Sequence, residues 1–245
     1  MINLKKRRNT RILIILISIF AIALIGFLIT FYFTINFGNE TQEQNNENEQ
    51  TQGAIRNLQE ETIALNKQYN DVVGWLRISG TSIDTAIYQA DNNDRYLRND
   101  KDNKETRWGE NFLDYRCDIN KINEPMQHYI IYGHNTEVDT RFTPLFNYKD
   151  EEFFKNHQNI EFSTLNGNYK FQIFATYSTN TDFFYIDTNF KDINEYESFL
   201  NSLKAKSEYN TNVEVTKDDV ILTLSTCDYS IENGRYVVQA KLIKE

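Results

Sequence analysis

The stretch Asp219–Tyr229, DVILTLSTCDY, does most to limit what this chain can become. Val220, Ile221, Leu222 and Leu224 make a short apolar run with β-branched residues. A run of that length and composition predicts a buried strand. It ends on a thiol, Cys227, with Ser225 and Thr226 at the approach. A rigid core can hold such a sulfur at the edge of a cleft. Arg235 then opens a second run to Ile243, and far upstream Tyr129–Tyr132 leads through Gly133 into His134 and Asn135. Three predicted strands thus deliver a thiol, an imidazole and a guanidinium at or near their ends.

That set of groups can do nucleophilic chemistry. A thiol attacks as the thiolate and needs an electropositive neighbourhood. Arg235 keeps its charge throughout the useful pH range and offers several donors in a fixed fork, suited to a developing oxyanion. His134 can protonate a leaving amine and deprotonate an incoming one. Taken singly, each residue has an ordinary explanation. A cysteine ending an apolar strand is commonly a small buried hydrophobe. Gly-His-Asn is common turn chemistry, and Arg235 alone would be a solvated charge on an edge strand. The residues by themselves therefore leave a cysteine hydrolase of another kind, and a non-enzymatic anchored binding module, as open alternatives. His128 and His157 are expected to be structural or on the surface. Two cysteines permit a disulfide by count, but Cys227 is better used as a free nucleophile, which leaves Cys117 a bystander. Neither a CxxC pair nor a Cys/His cluster at zinc spacing occurs, so no metal and no cofactor is expected.

The rest of the chain reads as a scaffold around these strands. Residues 54–70 carry apolar positions on a loosely helical period, as one helix or two. Strands are predicted at 74–78 and 85–88 about a Ser79-Gly80 turn, at 108–115, and at 128–132. A helical turn is expected over 91–98, a polar loop over 118–127 and another short turn over 143–148. Asp150 is expected to cap a helix to about His157, with Glu151 and Glu152 in its first turn. Asn166-Gly167 predicts a hairpin between 160–165 and 169–176. Residues 183–190 form an aromatic loop or strand, Asp192 caps an amphipathic helix to about Lys206, and 213–215 is a short strand. Many short strands with a few helices and no βαβ rhythm indicate a mainly β fold, a mixed barrel of about eight strands.

Three further segments precede this domain. Residues 1–11 are basic, and 12–35 contain a nearly unbroken apolar run from Ile12 to Phe33, long enough to cross a bilayer as a helix. With the positive charges on its N-terminal side, the run predicts a single-pass anchor in the cell membrane, N-terminus cytoplasmic and body outside. Residues 36–53 are Asn-, Gln- and Glu-rich and read as a flexible linker. The formal net charge of −9 includes five positive residues before the apolar run, so the body is more acidic still. Such a body is not expected to bind nucleic acid.

The combination Tyr132-Gly133-His134-Asn135, Thr223-Leu224-Ser225-Thr226-Cys227 and a strand-leading Arg235 resembles the sortase family of cysteine transpeptidases. The similarity runs from about Ala54 onward. Asp71–Asp84, Tyr88-Gln89, Asp91-Asn92, Phe112–Arg116 and the helix near Asp192–Lys206 look like the class B branch. The resemblance implies a sortase barrel with N-terminal helices and a long helix before the strand ending on the cysteine. It implies His134, Cys227 and Arg235 as catalytic residues. The expected reaction cleaves a C-terminal sorting signal, NPxTN-like or PxTG-like, after its Thr through a thioester, then transfers the protein to a peptidoglycan amine. Expected partners are secreted proteins bearing that signal, the amine of a peptidoglycan precursor or cross-bridge, and the membrane through the anchor. Ser225, Thr226, Asn135, Phe183, Phe184 and Tyr185 are the expected substrate-binding residues, with Asn135 orienting the imidazole.

Overall fold

The computed structural model describes residues 56–136 and 138–244. Its compact unit begins at Asn57 and is built on a closed barrel of eight strands. In chain order these are β1 (Val72–Arg77), β2 (Asp84–Tyr88), β3 (Phe112–Leu113), β4 (His128–Tyr132), β5 (Asn159–Thr164), β6 (Gly167–Thr179), β7 (Ile221–Asp228) and β8 (Gly234–Leu242). Around the barrel they run β1-β2-β3-β4-β7-β8-β6-β5, and β5 closes onto β1. Two neighbouring pairs, β2/β3 and β4/β7, are parallel, and the others are antiparallel. This is the mainly β, mixed barrel that the sequence predicts.

The apolar pattern of β7 explains its central place. Leu222 and Leu224 point into the barrel with Leu76, Ile131, Phe162, Phe171 and Val238. Ile221 points outward beneath the helix α4 (Ile193–Lys204), whose Tyr196, Leu200 and Leu203 pack on it with Phe174 and Val237. A strand covered on both faces is apolar without alternation. Asp192 caps α4 as expected, its carboxylate accepting from the backbone N–H groups of Asn194 and Glu195 at 3.0 Å. Upstream lie α1 (Leu58–Asn66), α2 (Arg95–Arg98) and α3 (Glu151–Asn156), the last capped by Asp150 through the Phe153 N–H at 2.8 Å.

Three local expectations change. Residues 213–215 are not a strand: Val213 and Val215 instead bury their side chains beside α4. The strand expected over 108–115 shrinks to Phe112–Leu113, because Gly109 turns the chain at φ +49° against the backbone of Tyr96 and Leu97. The polar loop 118–127 contains a 3-10 turn at Ile119–Lys121, capped by Asp118, and buries Ile119 and Ile122.

The expected membrane placement is also corrected. The longest helix among the described residues is α4, 12 residues and so about 18 Å long, against roughly 30 Å of hydrocarbon. No helix among the described residues is long and apolar enough to cross a membrane. The apolar run 12–35 and the linker 36–53 lie outside the described residues.

His128 opens β4 in full burial, 5.5 Å from the Phe199 ring. Burial pushes its pKa down to about 4, with nearby Arg116 acting in the same direction and the Asp187 carbonyl, Asp114 and the Asp187 carboxylate opposing. A depressed histidine pKa means that the unfolded chain binds the proton first on acidification. Stability is therefore fully present above pH 6.5 and is lost as the pH falls from 6.5 towards 4. The expected loss from this group is on the order of 1 kcal/mol per pH unit within that window. Urea unfolding of the wild type and of His128→Asn, across pH 4 to 7, should show a steeper acid loss in the wild type. Parallel curves would refute the assignment.

Candidate active site

β4 and β7 lie parallel with Tyr132 beside Ser225, so the residues that follow on both strands emerge at one end of the barrel. β7 turns back into β8 there, and the hairpin register sets Cys227 directly opposite Arg235. The cavity at this end holds about 470 Å³ and is lined by His134, Cys227 and Arg235 together with Ser225, Thr226, Phe183, Phe184 and Tyr185. The thiol, imidazole and guanidinium predicted from separate strands share one concave surface, the usual form of a small-ligand site.

Gly133 makes the turn into His134 possible by close approach. A Cβ there would lie 2.4 Å from the Asn111 carboxamide oxygen and 2.6 Å from the Phe142 ring. His134 is buried, and its Nε2 lies 2.8 Å from the Leu97 carbonyl. A carbonyl only accepts, so Nε2 carries the hydrogen and Nδ1 is the basic nitrogen of the neutral ring. Burial lowers the His134 pKa, Arg98 and Arg141 add to the effect, and the Leu97 carbonyl opposes it. Trp108 meets the ring edge-on, centroids 5.9 Å apart.

The two cysteines differ sharply. Cys227 is half-buried at the cavity, whereas Cys117 is buried with its Sγ 3.4 Å from the His128 carbonyl. Burial pushes the Cys117 thiol up to about 12, so it stays protonated. Both are free thiols. Arg235 donates from Nη1 to the Gly234 carbonyl at 2.8 Å, which fixes the guanidinium close to its own strand.

Asp228 follows Cys227 and faces the other way. Its buried carboxylate accepts from the Lys149 ammonium at 3.0 Å, the Ser178 hydroxyl at 3.0 Å and the Ser230 backbone and hydroxyl. Burial raises its pKa, but these bonds outweigh that and hold it at about 2. The carboxylate therefore stays charged and pins the β7–β8 turn beneath the thiol.

The expected substrate-binding residues separate in position. Tyr185 is buried, its hydroxyl 2.8 Å from that of Ser225. Phe184 is 60% exposed at the rim, and Phe183 packs edge-on to Tyr177. The Thr226 hydroxyl is buried with no hydrogen-bond partner. Asn135 is not in the cavity wall. Its amide donates to the Cys227 carbonyl at 3.1 Å, so it joins the loop after β4 to the end of β7. The cavity also takes Asn93, Leu97, Thr181 and Ile186, which the sequence reading passed over. The signal for the first two was the short helix at 91–98, and for the others the aromatic-rich segment.

Fold and site together describe a β-barrel enzyme with a cysteine nucleophile candidate at a strand end. Residues 76–243 match the sortase domain family model, and the chain belongs to the sortase family of cysteine transpeptidases, in its class B branch. It is similar to Sortase B of Listeria monocytogenes, 40% identical over 189 residues that cover 76% of this chain and 75% of the relative. It is also similar to Sortase B of Staphylococcus aureus, 39% identical over 183 residues that cover 74% of each. The solved Staphylococcus aureus sortase B–substrate complex superposes with a TM-score of 0.71 at 36% identity, covering 84% of this chain and 98% of that one.

Proposed function

We propose that this transpeptidase cleaves a C-terminal sorting signal after its Thr through a thioester on Cys227, with His134 and Arg235 as its partners. The observation that carries the reading is the hairpin register, which sets Cys227 beside Arg235 in the wall of a cavity that His134 also lines. In the first half-reaction the Cys227 sulfur bonds to the Thr carbonyl carbon. The thiol proton passes to Nδ1 of His134 and then to the departing amine as the peptide bond breaks. Arg235 donates to the oxygen on which negative charge builds. In the second half-reaction an amine attacks the thioester, His134 takes its proton, and the thiolate leaves and is reprotonated. A peptidoglycan precursor or cross-bridge supplies that amine.

Ser225, Thr226, Phe183, Phe184 and Tyr185 form the wall on which the signal lies in this reading. The reading admits either an NPxTN-like or a PxTG-like signal. The deciding experiment incubates the full-length protein with quenched fluorogenic peptides bearing NPQTN-, LPxTG- and PPKTG-type signals, with and without an added amine. Cleavage of one signal between Thr and the next residue, with an amine-linked product by mass spectrometry, is the expected result. A folded protein that cleaves none of them would sink the proposal. Cleavage without any amine-linked product would instead mark a hydrolase.

A further inference from the structure

The segment 180–192 between β6 and α4 covers the cavity and has no regular secondary structure. Side chains from outside the segment hold it at three successive residues. Tyr185 bonds the Ser225 hydroxyl, and the Arg116 guanidinium donates to the Ile186 carbonyl at 2.9 Å. At the third, Nδ1 of His128 lies 2.6 Å from the Asp187 carbonyl.

The His128 contact belongs to a buried chain of hydrogen bonds whose directions are fixed. Nε2 of His128 lies 2.7 Å from the Thr223 hydroxyl. The Gln239 amide donates to that hydroxyl at 3.1 Å, and the Tyr177 hydroxyl donates to the Gln239 carbonyl oxygen at 3.2 Å. The Asp187 carbonyl can only accept, so Nδ1 must carry the hydrogen. In the neutral ring Nε2 is then the acceptor, and Thr223 must donate to it. Every member of the chain is satisfied in one arrangement only. The relay thus ties the cover of the cavity to Thr223 on β7, four residues before Cys227.

We infer that His128 is a positioning residue for peptide recognition, its Nδ1–H holding the 180–192 segment closed over the cavity through the Asp187 carbonyl. It touches neither substrate nor the reacting atoms. The barrel core passes its order to the peptide-facing wall through this bond, and losing it leaves a buried carbonyl without its donor. The inference rests on the reading that a sorting-signal peptide occupies this cavity.

The test exploits the two amide analogues of histidine in the full-length protein. His128→Asn places an N–H near the former Nδ1 and can still serve Asp187, whereas His128→Gln places one near Nε2 and cannot. Both remove the ring and with it the contact with Phe199. His128→Gln is expected to raise KM for the cleaved peptide about tenfold with kcat changed less than threefold, and to speed amide exchange across 186–190 by hydrogen–deuterium mass spectrometry. His128→Asn is expected to keep both near wild type. Equal behaviour of the two variants in exchange and in KM would overturn the inference. The exchange contrast needs no turnover, so it stands or fails independently of whether any tested peptide is cleaved. If neither variant folds, imidazole 15N shifts of the wild type decide: an Nδ1–H tautomer at His128 supports the assignment, and an Nε2–H tautomer overturns it.

Discussion

Replacement of Cys227 by alanine is expected to lower peptide cleavage and transfer by at least about three orders of magnitude, since Cys227 is the one thiol among the residues lining the cavity. Cys117 cannot stand in, being buried with a thiol pushed up to about 12. The loss should come without unfolding. Cys227 is half-exposed, and its backbone carbonyl, which holds Asn135, survives the change. Steady-state rates with the preferred peptide, beside near-ultraviolet circular dichroism, check both halves. Labelling gives an independent view. One equivalent of a methanethiosulfonate reagent should modify Cys227 and leave Cys117 free. Retained turnover in Cys227→Ala would transfer the chemistry elsewhere in the protein.

Arg235→Ala is expected to cost about 10²–10³-fold in kcat with a smaller change in KM, the pattern for a donor that matters most when charge develops. Nη1 is committed to the Gly234 carbonyl, and the remaining donors of the fork are those available to a carbonyl oxygen held near Cys227. Arg235→Lys keeps the charge but loses the fork, so it should recover only part of the rate. Single-turnover acylation, followed by mass spectrometry of the thioester, separates this step from amine attack. A loss below about fivefold for Arg235→Ala would leave the guanidinium with a binding role and no part in stabilising the oxyanion.

Much of this site was legible because its pieces are local. The β7 run, the alternation after Arg235 and the Gly-His-Asn turn each carry their own signal, and the two caps at Asp150 and Asp192 announce helices that form as expected. The class of the fold came through the same residues, by their resemblance to a family. What stayed hidden depends on distant partners. Val213 and Val215 have strand-like side chains, but they find burial beside α4 and no ladder to join. Leu97 sits on a four-residue helix and is 39% exposed, and its place in the cavity wall follows only from the Leu97 carbonyl meeting His134. The Asn135 amide was expected to orient the neighbouring imidazole, and tertiary placement gives it to the Cys227 carbonyl. His128 read as an ordinary strand opener because its partners, Asp187 and Thr223, lie 59 and 95 positions away.

The parallel seam between β4 and β7 has a consequence for how the chain acquires reactivity. Parallel neighbours cannot be joined by a tight turn, and Asn135 and Cys227 are 92 positions apart. The entropy of closing so long a loop must be met before the seam's contacts offset it. The β7–β8 hairpin, by contrast, is local and can bring Cys227 and Arg235 together early. An incompletely folded chain would then hold a thiol beside a guanidinium with no imidazole to move its proton. In the proposed mechanism, catalytic competence is then a report on the whole barrel, because it waits on the β4–β7 seam as well as on the hairpin.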